Sequence, residues 1–150
     1  AHTYLDEIRS AVAIPVMDMI GMTAKRISSM PFETGRVGII ASTAVLNTGL
    51  YDAAFKTCSL ELVYPERQAA VMSLIGKVKT AAVSTKDLDC YQQIVRSLAN
   101  AGANFVLVAC TDLSVITDSS IDTNVPVIDA LDVLVDEIIS FAQEITEAAR

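Results

Sequence analysis

Cys110 closes an unbroken apolar run, FVLVAC, and is followed at once by Thr111 and Asp112. A thiol where a buried strand turns into a helix can have its pKa lowered by the helix N-terminus. The thiolate is soft, nucleophilic and able to take and return a proton near neutral pH. Shortly downstream, NVPVIDAL at residues 124–131 nearly repeats AIPVMDMI at residues 13–20. Each copy reads as an apolar strand with Pro near its start and Asp near its end, running into a helix. The repeat points to two homologous halves. Cys110 lies sixteen residues before Pro126, and the same offset from Pro15 falls immediately upstream of Ala1. A symmetric protein is therefore expected to carry a second thiol there. Two thiols across one cleft could remove a Cα proton from one face of a planar intermediate and return it to the other, which is racemisation.

The other candidates for chemistry carry less. Cys58 ends a helix beside the next strand and Cys90 lies inside a charged amphipathic helix, so both read as packing or surface residues. The three cysteines show no CxxC and no zinc or disulfide spacing. His2 is the single histidine, and one histidine cannot by itself make a metal site. No Walker-A pattern, dinucleotide fingerprint or metal spacing is present, so no cofactor is expected.

These residues need elements to position them. Residues 3–12 carry Leu5, Ile8 and Val12 at helical spacing, IPVMDM reads as a short buried strand, and residues 21–30 form a second helix ended by Pro31 and the loop PFETG. A new unit opens at Arg36 with VGIIAS, ends in the small polar residues Ser42 and Thr43, and runs into a helix over 45–56. LELVYP is the next strand, Pro65 sits where helices like to start, and residues 66–79 and 86–101 are helical, the second stopping at Gly102. FVLVAC and VPVID complete four short apolar strands alternating with helices. That pattern predicts an α/β fold, a doubly wound, parallel four-stranded sheet in a flavodoxin-like three-layer arrangement, with VGIIAS and FVLVAC at its centre. Ligands gather at the carboxyl ends of such strands, here at Ser42 and Thr43, at Cys110 to Asp112, and at Asp129. Backbone N–H groups there can hold a carboxylate without a cationic side chain.

Three segments follow. Residues 1–35 read as the tail of an N-terminal lobe, 36–129 as a C-terminal α/β lobe, and 130–150 as a crossover helix packing on the N-terminal lobe. The last helix, 131–149, carries Leu134, Ile138, Ile139, Ala142 and Ile145 on one stripe. Such a stripe must pack on something, so association with an N-terminal lobe or with further copies of the chain is expected.

Composition limits the partners. A net charge of −7 and a pI near 4.5 leave no basic patch for nucleic acid or an anionic membrane. No apolar run is long enough to span a membrane. Hydrophobic residues at 52% suit a tightly packed α/β core, and the cysteine usage suits the cytoplasm.

At VLVACTDLS, with VGIIASTAVLNTGLYDAAF before it and VPVIDAL after it, the chain resembles the aspartate/glutamate racemase family. That family commonly has a strand followed by Gly-Cys-Thr-Glu, an earlier Ala-Thr-x-Gly-Thr-x-x-Ser-x-x-Tyr turn, and a Val-Pro-x-x-Asp strand. The likeness covers almost the whole chain and extends to Ala1 and His2, which resemble the end of the Cys-Asn-Thr-x-His stretch holding the family's first catalytic cysteine. The resemblance implies that Cys110 is the base of the second half. Thr111 and its backbone would meet the substrate α-carboxylate, with Ser42 and Thr43 lining the same pocket and Asp112 beside them. Lys79, in IGKVKTAA, would meet the side-chain carboxylate of a small acidic amino acid; its other reading is a solvated lysine at a helix end. Departures from the pattern include Asp112 for Glu, Ala109 for Gly, and Ala44 and Val45 for Gly and Thr.

Two other functions share this scaffold. A dicarboxylate isomerase or decarboxylase would use Cys110 alone, and a non-catalytic module would bind a small acid without turning it over. With a single thiol at the site, the 150-residue chain is expected to be inactive as a racemase by itself.

Overall fold

The computed structural model describes residues 2–31, 35–117, 123 and 125–148. Ala1, the middle of the 31–35 loop, Asn124 and Ala149, on which parts of the expectations above fell, lie outside them. A short 3-10 turn, His2–Tyr4, leads into α1 (Leu5–Ala11), and α2 is Met19–Ser28. Then come β1 (Arg36–Ile40), α3 (Thr43–Thr48), α4 (Leu50–Thr57), β2 (Glu61–Val63), α5 (Gln68–Lys79) and α6 (Thr85–Asn100). The chain continues through β3 (Phe105–Val108), α7 (Thr111–Ser114), β4 (Val127–Asp129) and α8 (Ala130–Ala148).

The four strands form one parallel sheet in the order β2-β1-β3-β4. Runs of Val, Ile and Leu suit strands buried on both faces, and the two most continuous, β1 and β3, lie at the centre. Alternation divides the core. Val37, Ile39, Phe105 and Leu107 face one layer with Ile20, Ala24 and Ile27 of α2, Tyr51 and Phe55 of α4, and Ala130 of α8. Ile40, Val106 and Val108 face the other with Val71, Leu74 and Ile75 of α5 and Tyr91, Ile94, Val95 and Leu98 of α6. This is the expected three-layer α/β fold.

Local chemistry sets the boundaries. Ser42 caps α3, its Oγ accepting from Val45 N at 3.3 Å. The single helix expected over 45–56 is two, because Gly49 turns the chain through φ +62° between α3 and α4. That left-handed conformation suits a residue without a Cβ. Helix α6 opens on a capping box, Ser84 with Asp87, and α5 starts at Gln68, two residues later than expected.

One expected element is not a strand. Residues 12–18, which hold all of IPVMDM except Met19, the first residue of α2, are loop, and Ile14 is 71% exposed. A strand exists only where a neighbour completes its hydrogen-bond ladder. The sheet of the described residues ends at β4 and β2, and neither pairs with this segment. Both copies of the repeat nevertheless do one thing alike. Asp18 Oδ1 accepts from Gly21 N at 3.0 Å at the start of α2, and Asp129 Oδ1 accepts from Leu131 N at 2.8 Å at the start of α8. The two helices lie against each other.

Candidate active site

The chain leaves β1 for β2 on one side and returns to place β3 on the other, so the strand order reverses between β1 and β3. At such a switch point the loops diverge and leave a crevice beyond the carboxyl ends of the strands. The pairing of Ile40 with Val108, continued by Ala109 N donating to Ile40 O at 2.9 Å, brings the Ser42–Thr43 turn beside Cys110. Two stretches sixty-eight residues apart thus meet at one edge.

Cys110 is half-buried at the N-terminus of the four-residue helix α7. Burial pushes its thiol above the ordinary value of 9.0. The backbone N–H groups of Asp112 and Leu113 and the charge of Lys79 act the other way, while the charge of Asp112 adds to the rise. The lowered pKa expected for a thiol at a helix N-terminus is therefore not found: loss of water outweighs the N–H groups of a single helical turn. The resting group is a thiol, positioned to donate to Asp112 Oδ2 at 3.9 Å.

The expected partners are brought together unequally. Lys79 Nζ lies 3.3 Å from Asp112 Oδ2, so Lys79, Asp112 and Cys110 form a chain of contacts along the rim. Thr111 is exposed at the first position of α7. Ser42 Oγ is engaged in capping α3. Thr43 is exposed; its N donates to Met72 Sδ at 3.3 Å and its Oγ1 accepts from Gln68 Nε2 at 3.4 Å. Helix α5 therefore runs along this edge, from Gln68 near the end of β1 to Lys79 near the end of β3.

Beside Cys110 opens a cavity of about 230 Å³ lined by His2, Thr3, Met19, Ile20, Ala44, Val45, Thr48, Leu50, Tyr51 and Ala109. Three of these departures from the family pattern, Ala44, Val45 and Ala109, are on its wall. His2 Nε2 sits 3.7 Å from Asp18 Oδ1. Tyr51 is 3% exposed, and burial, reinforced by the negative charges of Asp18, Asp129 and Cys110, pushes its phenol well above the ordinary range. Tyr51 is neutral at any physiological pH.

A larger groove of about 650 Å³ lies between α5 and α6 and holds Arg67, Ser73, Lys77, Asp87 and Cys90. Two of its charges engage each other: Lys77 donates to Asp87, which also accepts from Ser84 and is held down at about 2. Cys90 and Cys58 are half-buried in helical surroundings, away from the strand ends. No group of His, Cys, Asp and Glu that could hold a metal ion occurs among the described residues, and none of their helices is long and apolar enough to cross a membrane.

Reasoning from sequence missed Asp18, Tyr51 and Gln68 as residues of this edge. Asp18 and Tyr51 had a signal, the first as the repeated Asp and the second as the last residue of the turn motif. Gln68 had none, since nothing in its neighbourhood shows that α5 crosses the strand ends.

The chain is 24% identical over 131 residues to a broad specificity amino-acid racemase, RacX, of Bacillus subtilis, covering 87% of this chain and 56% of that protein. Among solved structures, it matches a Picrophilus torridus aspartate racemase at 25% identity with a TM-score of 0.64, over 76% of this chain and 47% of that one. An aspartate racemase homologue from Pyrococcus horikoshii shares the fold at a TM-score of 0.75 and 19% identity, over 95% and 62% of the two chains. The chain spans about half the length of these relatives. The model of the Asp/Glu/Hydantoin racemase family matches residues 1–138, and with the sheet order and the thiol at its switch point already in place, the chain belongs to that family.

Proposed function

We propose that this chain serves the racemisation of an acidic amino acid, with Cys110 as one of two proton-transfer groups and no requirement for pyridoxal phosphate. The observation that carries the reading is the position of Cys110 at the crevice between the central strands, next to the Ser42–Thr43 turn and to a cavity of amino-acid size. A thiol held protonated by burial is a competent acid, and its thiolate, once formed, is the stronger base for having a high pKa. Thr111, exposed at the start of α7, and the Ser42–Thr43 turn would receive the α-carboxylate, and Lys79 would face the second carboxylate at the rim. The Picrophilus relative described as an aspartate racemase supports the acidic substrate.

A second reading, a neutral side chain, has an observation of its own. Lys79 is already paired with Asp112, and Met19, Ile20, Val45 and Leu50 make much of the cavity wall apolar. The broad-specificity relative agrees with it.

Racemisation needs a second group on the far face of Cα, and Cys110 is the one thiol at this edge among the described residues. Loss of a positioned acid–base partner costs roughly 10²- to 10⁴-fold. Incubated with L-aspartate in deuterated water, the chain alone is expected to exchange Cα hydrogen slowly while optical rotation stays constant, and Cys110→Ser is expected to abolish the exchange. Binding of aspartate with no exchange would replace catalysis by a binding role. Racemisation by the chain alone, lost in Cys110→Ser, would place both proton-transfer groups within these 150 residues.

A further inference from the structure

Two polar atoms of the cavity beside Cys110 have no hydrogen-bond partner although both are shut off from solvent: His2 Nε2 and Tyr51 Oη. Orphaned polar atoms are costly in a folded protein and mark places where something else completes the set. Both belong to residues of the same wall, between the 3-10 turn at the start of the chain and α4. The residues lining this cavity include no Lys or Arg. The charges nearest to it are negative: Asp18 lies 3.7 Å from His2 Nε2, and Asp18 and Asp129 both act on the Tyr51 phenol. A neutral imidazole nitrogen and a phenol oxygen can each accept a hydrogen bond, and the surrounding carboxylates favour a cation.

We propose that this wall is the subsite for the substrate's α-ammonium group, His2 Nε2 and Tyr51 Oη accepting two of its N–H bonds and Asp18 supplying the countercharge. The proposal rests on the racemase reading and makes it more specific. Tyr51 and His2 are positioning residues that hold the amino end on the Asp18 side of the cavity, so that Cα is presented toward the end of β3. The ligand class follows from the chemistry: a free primary amine next to the carboxylate, which a 2-hydroxy acid of the same shape does not supply.

The test uses the chain with L-aspartate and with L-malate, which carries a hydroxyl where aspartate carries the ammonium, and reads both dissociation constants by calorimetry. The unaltered chain is expected to prefer aspartate. Tyr51→Phe keeps the buried ring and removes only the acceptor; it is expected to weaken aspartate by about 10- to 100-fold, the worth of a hydrogen bond to a charged group, and to leave malate unchanged. His2→Leu, at a partly exposed position, is expected to show the same selective loss and decides the matter even where Tyr51→Phe fails to fold. Equal aspartate binding by the unaltered chain and both variants would overturn the subsite while the racemase reading stands. Failure of the unaltered chain to bind aspartate, alanine or lysine would overturn the racemase reading and the subsite with it.

Discussion

Cys110 is governed by opposing influences that single substitutions separate. Burial raises its pKa, so the thiolate is scarce at neutral pH and alkylation with iodoacetamide is expected to keep accelerating above pH 9, where a solvent-exposed thiol levels off. Lys79 lowers the pKa and Asp112 raises it through their charges. At pH 8, Lys79→Ala is therefore expected to slow labelling of Cys110, and Asp112→Asn to hasten it. Mass-spectrometric peptide mapping, with Cys58 and Cys90 as internal references, reads both. A pH profile for Cys110 centred below its ordinary value, or variants that shift it in the reverse directions, would show that burial does not control this thiol.

At the scale of elements, the site depends on how closely α6 approaches the sheet from beneath. A Cβ on Gly38 would stand 2.9 Å from Leu98 Cβ and 3.3 Å from Ala103 Cβ, so Gly38→Ala forces β1 and α6 apart. The expected cost is about 1–3 kcal/mol, read as a lower denaturation midpoint at unchanged slope in urea. The start of α6 holds a carboxylate that ties stability to acid pH. Asp87 is held at about 2, against an ordinary 3.8, first by its bond to Lys77 and then by Ser84. A depressed folded-state pKa contributes stability above the unfolded value, and that contribution is lost as pH falls from about 4 through about 2. Asp87→Asn is expected to lower Tm at pH 7 and to flatten the Tm profile between pH 4 and 2. Parallel profiles for the two chains would remove Asp87 from the acid transition.

Over the whole molecule, the last helix is divided. Its first turn is buried, through Ala130 and Val133, against α2 and the end of β4, whereas Val135, Ile138, Ile139, Phe141 and Ile145 stand exposed. Tyr4, Ile8 and Val12 of the first helical segment are exposed as well. Apolar surface on this scale is unusual on a lone soluble chain. Self-association at tens of micromolar is the expected behaviour, with Ile138→Asp combined with Ile139→Asp shifting the sedimentation profile toward monomer. A monomer at all concentrations before substitution would overturn that expectation.

The sequence by itself determined the class of fold, the four strands and the place of Cys110 at a strand end. Each is written locally: short apolar runs rich in Val, Ile and Leu between turn signals suit strands of a covered parallel sheet, and a cysteine ending such a run is placed at the sheet's carboxyl edge. The repeat indicated two segments that run into helices, which the structure builds as α2 and α8. Tertiary structure alone decided the rest, because each remaining point depends on what lies opposite. IPVMDM has the composition of a strand but no neighbour to complete its ladder, so it is loop. The pKa of Cys110 depends on how much water the packed sheet edge excludes, which outweighs a helix N-terminus that local sequence does reveal. Lys79 and Asp112, thirty-three residues apart, meet only because α5 crosses the strand ends. The orphaned pair, His2 Nε2 and Tyr51 Oη, share a cavity only once the start of the chain has folded against α4. Spacing along a chain fixes which face a residue occupies within its own element; what that face meets is set by long-range packing.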